Sequence, residues 1–389
     1  MRTKMTLLAA AATAAVFFYT VTAAVAVPDN KTPDTQPANE PSPVTLAQGL
    51  VGPLHVSAGR DGALTVSEEF ASRLTRIDAQ GTKSVIYSNP GWDVAGIAQQ
   101  GSTTYLLESQ GAGPEDKRPL AGHVRTIDGD GHQNTFGDFA ALEKGHNADG
   151  DTHYGFRNLP AECAALLPAE VPAAYTGEVD SHPYGLAVSG HTAYVADAGA
   201  NSVVSIDLES GETGTVAVLP PRSLTISAAA AAANHLPDCV VGRSYRFEAV
   251  PTDVALGPDG RLYVTSLPGG PEGPSSGARG TVFKVDPDDG DVQVLADKIM
   301  SPTGLAVDDE GDVFVASLFG NGILRIDGHS GRQSTLLSAA SVADVDLHGS
   351  MLYATVNTLP PDGAPATPLN GQIVSVDLKH GSHNRGSDD

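Results

Sequence analysis

Six times along this chain a short apolar strand closes on an aliphatic residue followed by aspartate. The copies are Ile77-Asp78, Ile127-Asp128, Ile206-Asp207, Val285-Asp286, Ile326-Asp327 and Val376-Asp377. Ahead of each lies a second apolar run: Leu64–Val66, Tyr105–Leu107, Tyr194–Ala196, Tyr263–Thr265, Phe314–Ala316 and Tyr353–Thr355. A four-strand unit of roughly 40 residues that cannot bury its faces alone must stack on copies of itself, and radial stacking gives a propeller. The pattern predicts an all-β chain folded as a six-bladed β-propeller.

The innermost strands align as well. They begin at Pro53-Leu54-His55-Val56, Val94-Ala95-Gly96-Ile97, Pro183-Tyr184-Gly185-Leu186, Pro251-Thr252-Asp253-Val254, Pro302-Thr303-Gly304-Leu305 and Val342-Ala343-Asp344-Val345. Turn signals such as Arg60-Asp61-Gly62 and Pro258-Asp259-Gly260 follow several of them and suit tight hairpins. The sixth copy ends at Asp377-Leu378 without an outer strand. Val44–Ala47, running on to Pro53, matches Gln293–Ala296 running on to Pro302, so the N-terminal segment is expected to complete the last blade. Such closure removes the exposed edges of an open sheet.

The ends read differently from the repeat. Residues 1–26 form a signal peptide, with Arg2 and Lys4 before an apolar stretch and Ala24-Val25-Ala26 as a cleavage site. Residues 27–41 are a polar spacer with little to bury, 42–379 the propeller, and 380–389 a loose tail. The chain carries 46 acidic against 23 basic residues, a formal charge of −23, and losing Arg2 and Lys4 makes it more negative. That field repels nucleic acid and anionic lipid surfaces. The expected product is a secreted or cell-surface monomer, with no membrane insertion after cleavage.

Two insertions, 138–180 and 221–248, flank the third blade. Helical pieces are predicted at Phe139–Lys144, near Ala161–Leu167, and at Ala228–Ala233 behind the N-cap Ser227. Each insertion holds one of the two cysteines, Cys163 and Cys239. In an exported chain such a pair is expected to form a disulfide, clipping the insertions into a cap on one rim.

The start of the first strand and the end of the second meet at one mouth of a propeller channel. Those columns nominate His55, Glu68, Glu108, Asp197, Asp253 and Asp344 as channel residues. His182 and Tyr184, with Asp180, mark the entrance of the third blade beside the cap, where a ligand pocket is expected. Crowded carboxylates raise one another's pKa unless a cation compensates, so Glu68, Glu108, Asp197 and Asp253 are candidate ligands of a Ca²⁺-type ion. A catalytic pair of His55 with Glu68 is a lesser alternative. Asp286–Asp291 looks calcium-like, but its Gly comes one place early and no Glu closes it, which makes it a hairpin turn. No G-x-S-x-G, H-E-x-x-H or phosphate loop is present, and Trp92 is the sole tryptophan.

The runs Tyr154-Gly155-Phe156, Leu159-Pro160-Ala161-Glu162-Cys163 and Val179-Asp180-Ser181-His182-Pro183-Tyr184 resemble the ScyD/ScyE family of exported proteins. Leu236-Pro237-Asp238-Cys239, Tyr245-Arg246-Phe247, Val250-Pro251-Thr252-Asp253-Val254 and Leu267–Glu272 extend the resemblance over the mature chain. The repeats are also similar to NHL and TolB-like propellers. The resemblance implies an exported six-bladed propeller and supplies no catalytic residues. Two functions remain open from the residues. One is a binding or interaction module that offers its capped mouth to a small molecule, a glycan or a protein, Pro268–Ser276 and Leu359–Pro368 being candidate rim surfaces. The other is a metal-dependent hydrolase or lactonase using the acidic ring.

Overall fold

The computed structural model describes residues 41–271, 276–320, 322–360 and 369–381. The segment expected to be a signal peptide, the expected spacer up to residue 40 and the tail beyond 381 lie outside the described residues, as does most of the Leu359–Pro368 rim segment.

Alternating apolar residues build seven four-stranded antiparallel sheets. The first comprises Pro53–Ala58, Leu64–Glu68, Arg73–Ile77 and Lys83–Ser88, and the second Asp93–Gln100, Thr103–Gln110, Ala121–Ile127 and Gln133–Phe136. The third runs through Pro183–Ser189, Thr192–Asp197, Ser202–Asp207 and Thr213–Val218. The fourth holds Pro251–Leu256, Leu262–Ser266, Gly280–Val285 and Val292–Ile299, and the fifth Pro302–Val307, Val313–Ser317, Gly322–Ile326 and Gln333–Ser338. The sixth orders Val345–His348, Met351–Val356 and Gly371–Asp377 and takes its outer strand, Val44–Leu50, from the start of the chain. Val44 pairs with Ser375 and Leu50 with Gly371.

The innermost strands adjoin in order, from Pro53–Ala58 to Asp93–Gln100, Pro183–Ser189, Pro251–Leu256, Pro302–Val307 and Val345–His348, and the last adjoins the first. Apolar side chains fill the gaps between neighbouring sheets. Val203, Ala217 and Leu219 of the third, for example, pack on Val254, Val264 and Phe283 of the fourth.

A register shift recurs at one level of the inner strands, between Pro53 and His55, Pro183 and Gly185, Pro251 and Asp253, and Pro302 and Gly304. An extra residue there breaks the two-residue alternation and re-aims its side chain. In the third sheet that residue is Tyr184. In the fourth and fifth sheets it is a threonine whose hydroxyl donates to the next sheet, Thr252 to the Pro302 carbonyl at 3.0 Å and Thr303 to that of Ala343 at 2.7 Å.

The insertions depart from the helical cap expected of them. They contain α1 (Phe139–His146, capped by Asp138), α2 (Ala161–Ala164) and α3 (Ala228–Ala233, capped by Ser227). They also contribute four strands to a seventh sheet, ordered Ala174–Thr176, His153–Phe156, Ser244–Phe247 and Arg222–Thr225. The alternating aromatics of Tyr154-Gly155-Phe156 and Tyr245-Arg246-Phe247 explain the difference, because a strand can place them on one face. Phe156 and Tyr245 meet edge-on at 4.8 Å, over a core of Cys163, Ile226, Ala230, Ala231 and Val240. The Cys163–Cys239 disulfide joins the two insertions within this cap.

Candidate functional site

Where the inner strands enter the ring, His55, His182 and Tyr184 converge. All three are at least nine-tenths buried. The His55 ring meets that of Tyr184 edge-on at 4.7 Å, and the His182 ring lies 5.5 Å from the same tyrosine. The bulge between Pro183 and Gly185 presents Tyr184 here. The main chain holds His182, whose carbonyl accepts from Ala198 and whose N–H donates to Asp197 at 2.7 Å.

Both imidazoles have hydrogen-bonding capacity to spare. His55 Nε2 and both ring nitrogens of His182 are buried without a hydrogen-bond partner. Asp93 Oδ2 stands 3.7 Å from His182 Nε2, and Asp344 Oδ2 stands 3.8 Å from His55 Nδ1. Both separations exceed hydrogen-bond length. The Asp93 side chain is 38% exposed, so the cluster reaches solvent on that side. Glu69 completes it. The strand Leu64–Glu68 gives way to a 3-10 turn at Glu69–Ala71, which carries the Glu69 carboxyl in, with Oε2 buried and unpartnered.

Burial sets the protonation states. It lowers the His55 pKa to about 3, with His182 adding to the effect, so the His55 ring is neutral at physiological pH. Burial and then the negative charge of Asp93 push the Glu69 carboxyl well above the ordinary glutamate value, against a hydrogen bond from Tyr184 that lowers it. Tyr184 is raised well above a normal phenol by burial and the surrounding carboxylates, Glu69 first. The site thus presents a neutral imidazole, a carboxylic acid and a phenol, which donate and accept hydrogen bonds without bearing charge. The loop 111–120 approaches the open side, where Gly113 N–H donates to Asp180 and the field of Arg118 reaches Asp93.

Of the eight residues expected at the mouth, His55, His182 and Tyr184 come together, with Asp344 against His55. The candidate calcium ligands do not. Glu68 turns to its own sheet, accepting from Val51 N–H at 2.7 Å, from Arg73 at 2.8 and 2.9 Å and from the Thr75 hydroxyl. Glu108 is held by Tyr87, Asn89, His123 and Arg125, all within 2.9 Å. Asp197 accepts from Ser181 Oγ at 2.6 Å and from His182 and Ala200 N–H. Asp253 spans neighbouring inner strands, accepting Leu305 and Val254 N–H at 2.8 Å each. Each carboxylate is committed to donors of the chain itself. Among the described residues no group of three or more His, Cys, Asp or Glu is arranged to hold a metal ion. The metal-dependent hydrolase loses its ligand set with them, and the pairing of His55 with Glu68 fails for the same reason.

Glu69 and Asp93 are the members missed from sequence. Asp93 belongs to a column one residue ahead of the inner-strand starts, shared by Gly52, His182, Val250 and Ser301. Reading that column would have placed Asp93 beside His182.

No protein-family model matches the chain, and no curated protein does. Solved structures are similar to it. The PQQ-bound aldose sugar dehydrogenase of Streptomyces coelicolor shares 15% identity at a TM-score of 0.52, over 88% of this chain and 99% of that one. A gluconolactonase from Xanthomonas campestris shares 15% identity at 0.49, over 87% and 92%. Virginiamycin B lyase from Staphylococcus aureus shares 14% at 0.46, over 87% and 88%. At such identities the likeness is one of fold, and with the four-stranded antiparallel sheets it assigns this chain a β-propeller-like architecture.

Proposed function

We propose that this chain is a six-bladed β-propeller that binds an uncharged, hydroxyl-bearing small molecule at its axial mouth. The closed succession of inner strands supports the count of six, with the seventh sheet read as a cap. The observation that carries the ligand class is the set of unpartnered ring nitrogens on His55 and His182, buried around Tyr184. Leaving buried polar groups unmatched costs about 1 to 3 kcal/mol apiece, and a ligand that pairs them recovers part of that. A neutral imidazole, a protonated Glu69 and a phenol suit hydroxyl groups, whereas the acidic chain and Asp93 repel anions.

The resemblance to the ScyD/ScyE family and the Cys163–Cys239 disulfide support an exported protein, secreted or held at the cell surface. Among the described residues no helix is long and apolar enough to cross a membrane.

Saturation-transfer NMR with neutral monosaccharides, sugar lactones and simple phenols tests the reading. Signal from at least one of these classes is expected with the wild type, reduced or lost in His182→Ala and weakened in Tyr184→Phe. Binding confined to anionic compounds, no binding by any class, or binding undiminished in His182→Ala rejects it.

A further inference from the structure

Five carboxylates gather where the cap meets the ring: Glu143 of α1, Asp149 ahead of the cap strand His153–Phe156, Asp180 at the end of the first insertion, Asp197 of the third sheet, and Glu248 just after Ser244–Phe247. Each is at most 8% exposed. Among the described residues none makes an ion pair with lysine or arginine. Their partners are neutral. Asp149 Oδ2 accepts from the Tyr154 hydroxyl at 2.7 Å and from Asn201 at 2.9 Å, Glu143 Oε2 from Ala148 N–H at 3.4 Å, and Asp180 from Gly113 and Ser181 N–H. Glu143 Oε1, Asp149 Oδ1 and Glu248 Oε2 are buried with no hydrogen-bond partner. Unpaired carboxylates at this depth are strongly disfavoured as anions, so each takes up a proton more readily than in water.

We propose that this nest is a proton-operated latch, which seats the cap against the third sheet while its carboxyls are protonated and unseats it as they ionise. The nest links both insertions to the ring, since Glu143, Asp149, Asp180 and Glu248 come from the insertions and Asp197 from the sheet beneath. Facing it are Glu178, the hydroxyls of Tyr154, Tyr175 and Tyr245, the guanidinium of Arg246 and the ring of His182. Burial first, then mutual repulsion, raises Glu143 and Asp180 to about 7 and Glu248 to about 8. Asp149 and Asp197 move the same way through burial. A folded-state pKa above the unfolded value gives stability that is present at low pH and lost as pH rises through the folded value, here between about 4 and 8. The disulfide keeps the two insertions joined when the latch releases.

Amide hydrogen exchange on the whole chain at about pH 5.5 and 8.5, corrected for intrinsic rates, tests this. Peptides covering 153–176 and 222–247 should lose protection by about tenfold or more at the higher pH, while Val313–Ser317 should not change. Glu248→Gln, which cannot ionise, should shrink the difference. Equal cap protection at both pH values in the wild type overturns the latch. So does saturable binding of CaCl₂ by calorimetry at pH 8.5 that restores protection, because the nest would then be a cation site. The wild-type comparison decides even if the variant does not fold.

Discussion

Asp344, beside the last inner strand of the ring, accepts the backbone N–H of Val56 on the first at 2.8 Å. Its other oxygen accepts from Val345 at 2.8 Å, and Asp346 repeats the bridge to Ala58 at 2.7 Å. Asp253 does the same between the fourth and fifth sheets. Glycine faces Asp344 and Asp253, since a Cβ on Gly304 would strike Asp344 and one on Gly185 would strike Asp253. Asp253 and Asp344, two of the acids expected to bind a ligand, thus join one sheet to the next.

Replacing Asp344 by alanine strands two buried amides, at about 1 to 3 kcal/mol each, so a loss of roughly 3 kcal/mol is expected in thermal or urea unfolding. Asp344→Asn keeps an acceptor and should cost less. Burial and then the charge of Asp253 raise the Asp344 carboxyl well above the usual range. Its favourable contribution is therefore present at low pH and fades as pH rises. The asparagine variant should gain on the wild type as pH increases; parallel stability curves would contradict the assignment.

Glu108 makes the opposite prediction. Burial raises its pKa, but hydrogen bonds from His123, Tyr87, Asn89 and Arg125 outweigh this and hold the carboxyl at about 2. A depressed carboxylate stabilises the fold above its unfolded pKa, and that stability is lost as pH falls below about 4.5. Glu108→Ala removes the hub and leaves Arg125 and His123 without their anion, a change expected to cost roughly 3 kcal/mol at neutral pH. Binding at the axial mouth should survive under conditions where the variant is folded. A variant as stable as the wild type in urea would refute the hub.

The repeats were legible because each copy ends in the same aliphatic-aspartate pair and because Val44–Ala47 matches a strand that the sixth copy lacks. The site was half legible. His55, His182 and Tyr184 were nominated at or just ahead of inner-strand starts, but the column at the ends of the second strands nominated Glu68 and Glu108 with them. Position in a column does not determine a carboxylate's direction when Arg73 or Arg125 on the next strand competes for it. The bulge after each leading proline also shifts the alternation at the level where the axial residues sit. Glu69 was passed over because it follows the end of its strand, and only the 3-10 turn brings it inward. The cap sheet was hidden because its strands are three or four residues long and pair across two insertions far apart in sequence.

His55 gives the axial site a signature that needs no ligand. Its ring is lowered from 6.5 to about 3 by burial and by His182. Between those values the unfolded chain takes up a proton that the folded one refuses. Stability from this group is complete above about 6.5 and falls by roughly 2 to 3 kcal/mol by pH 4.5, at 1.36 kcal/mol per unit. His55→Phe keeps an aromatic ring against Tyr184 and removes the titration. The variant should therefore lose less stability than the wild type between pH 7 and 4.5, measured by urea unfolding at each pH, whatever its stability at pH 7. Glu68 and Glu108 contribute equally to both proteins, so they cancel in the difference. Identical acid limbs would mean that His55 protonates in the folded state, and the neutral site on which hydroxyl recognition depends would be lost.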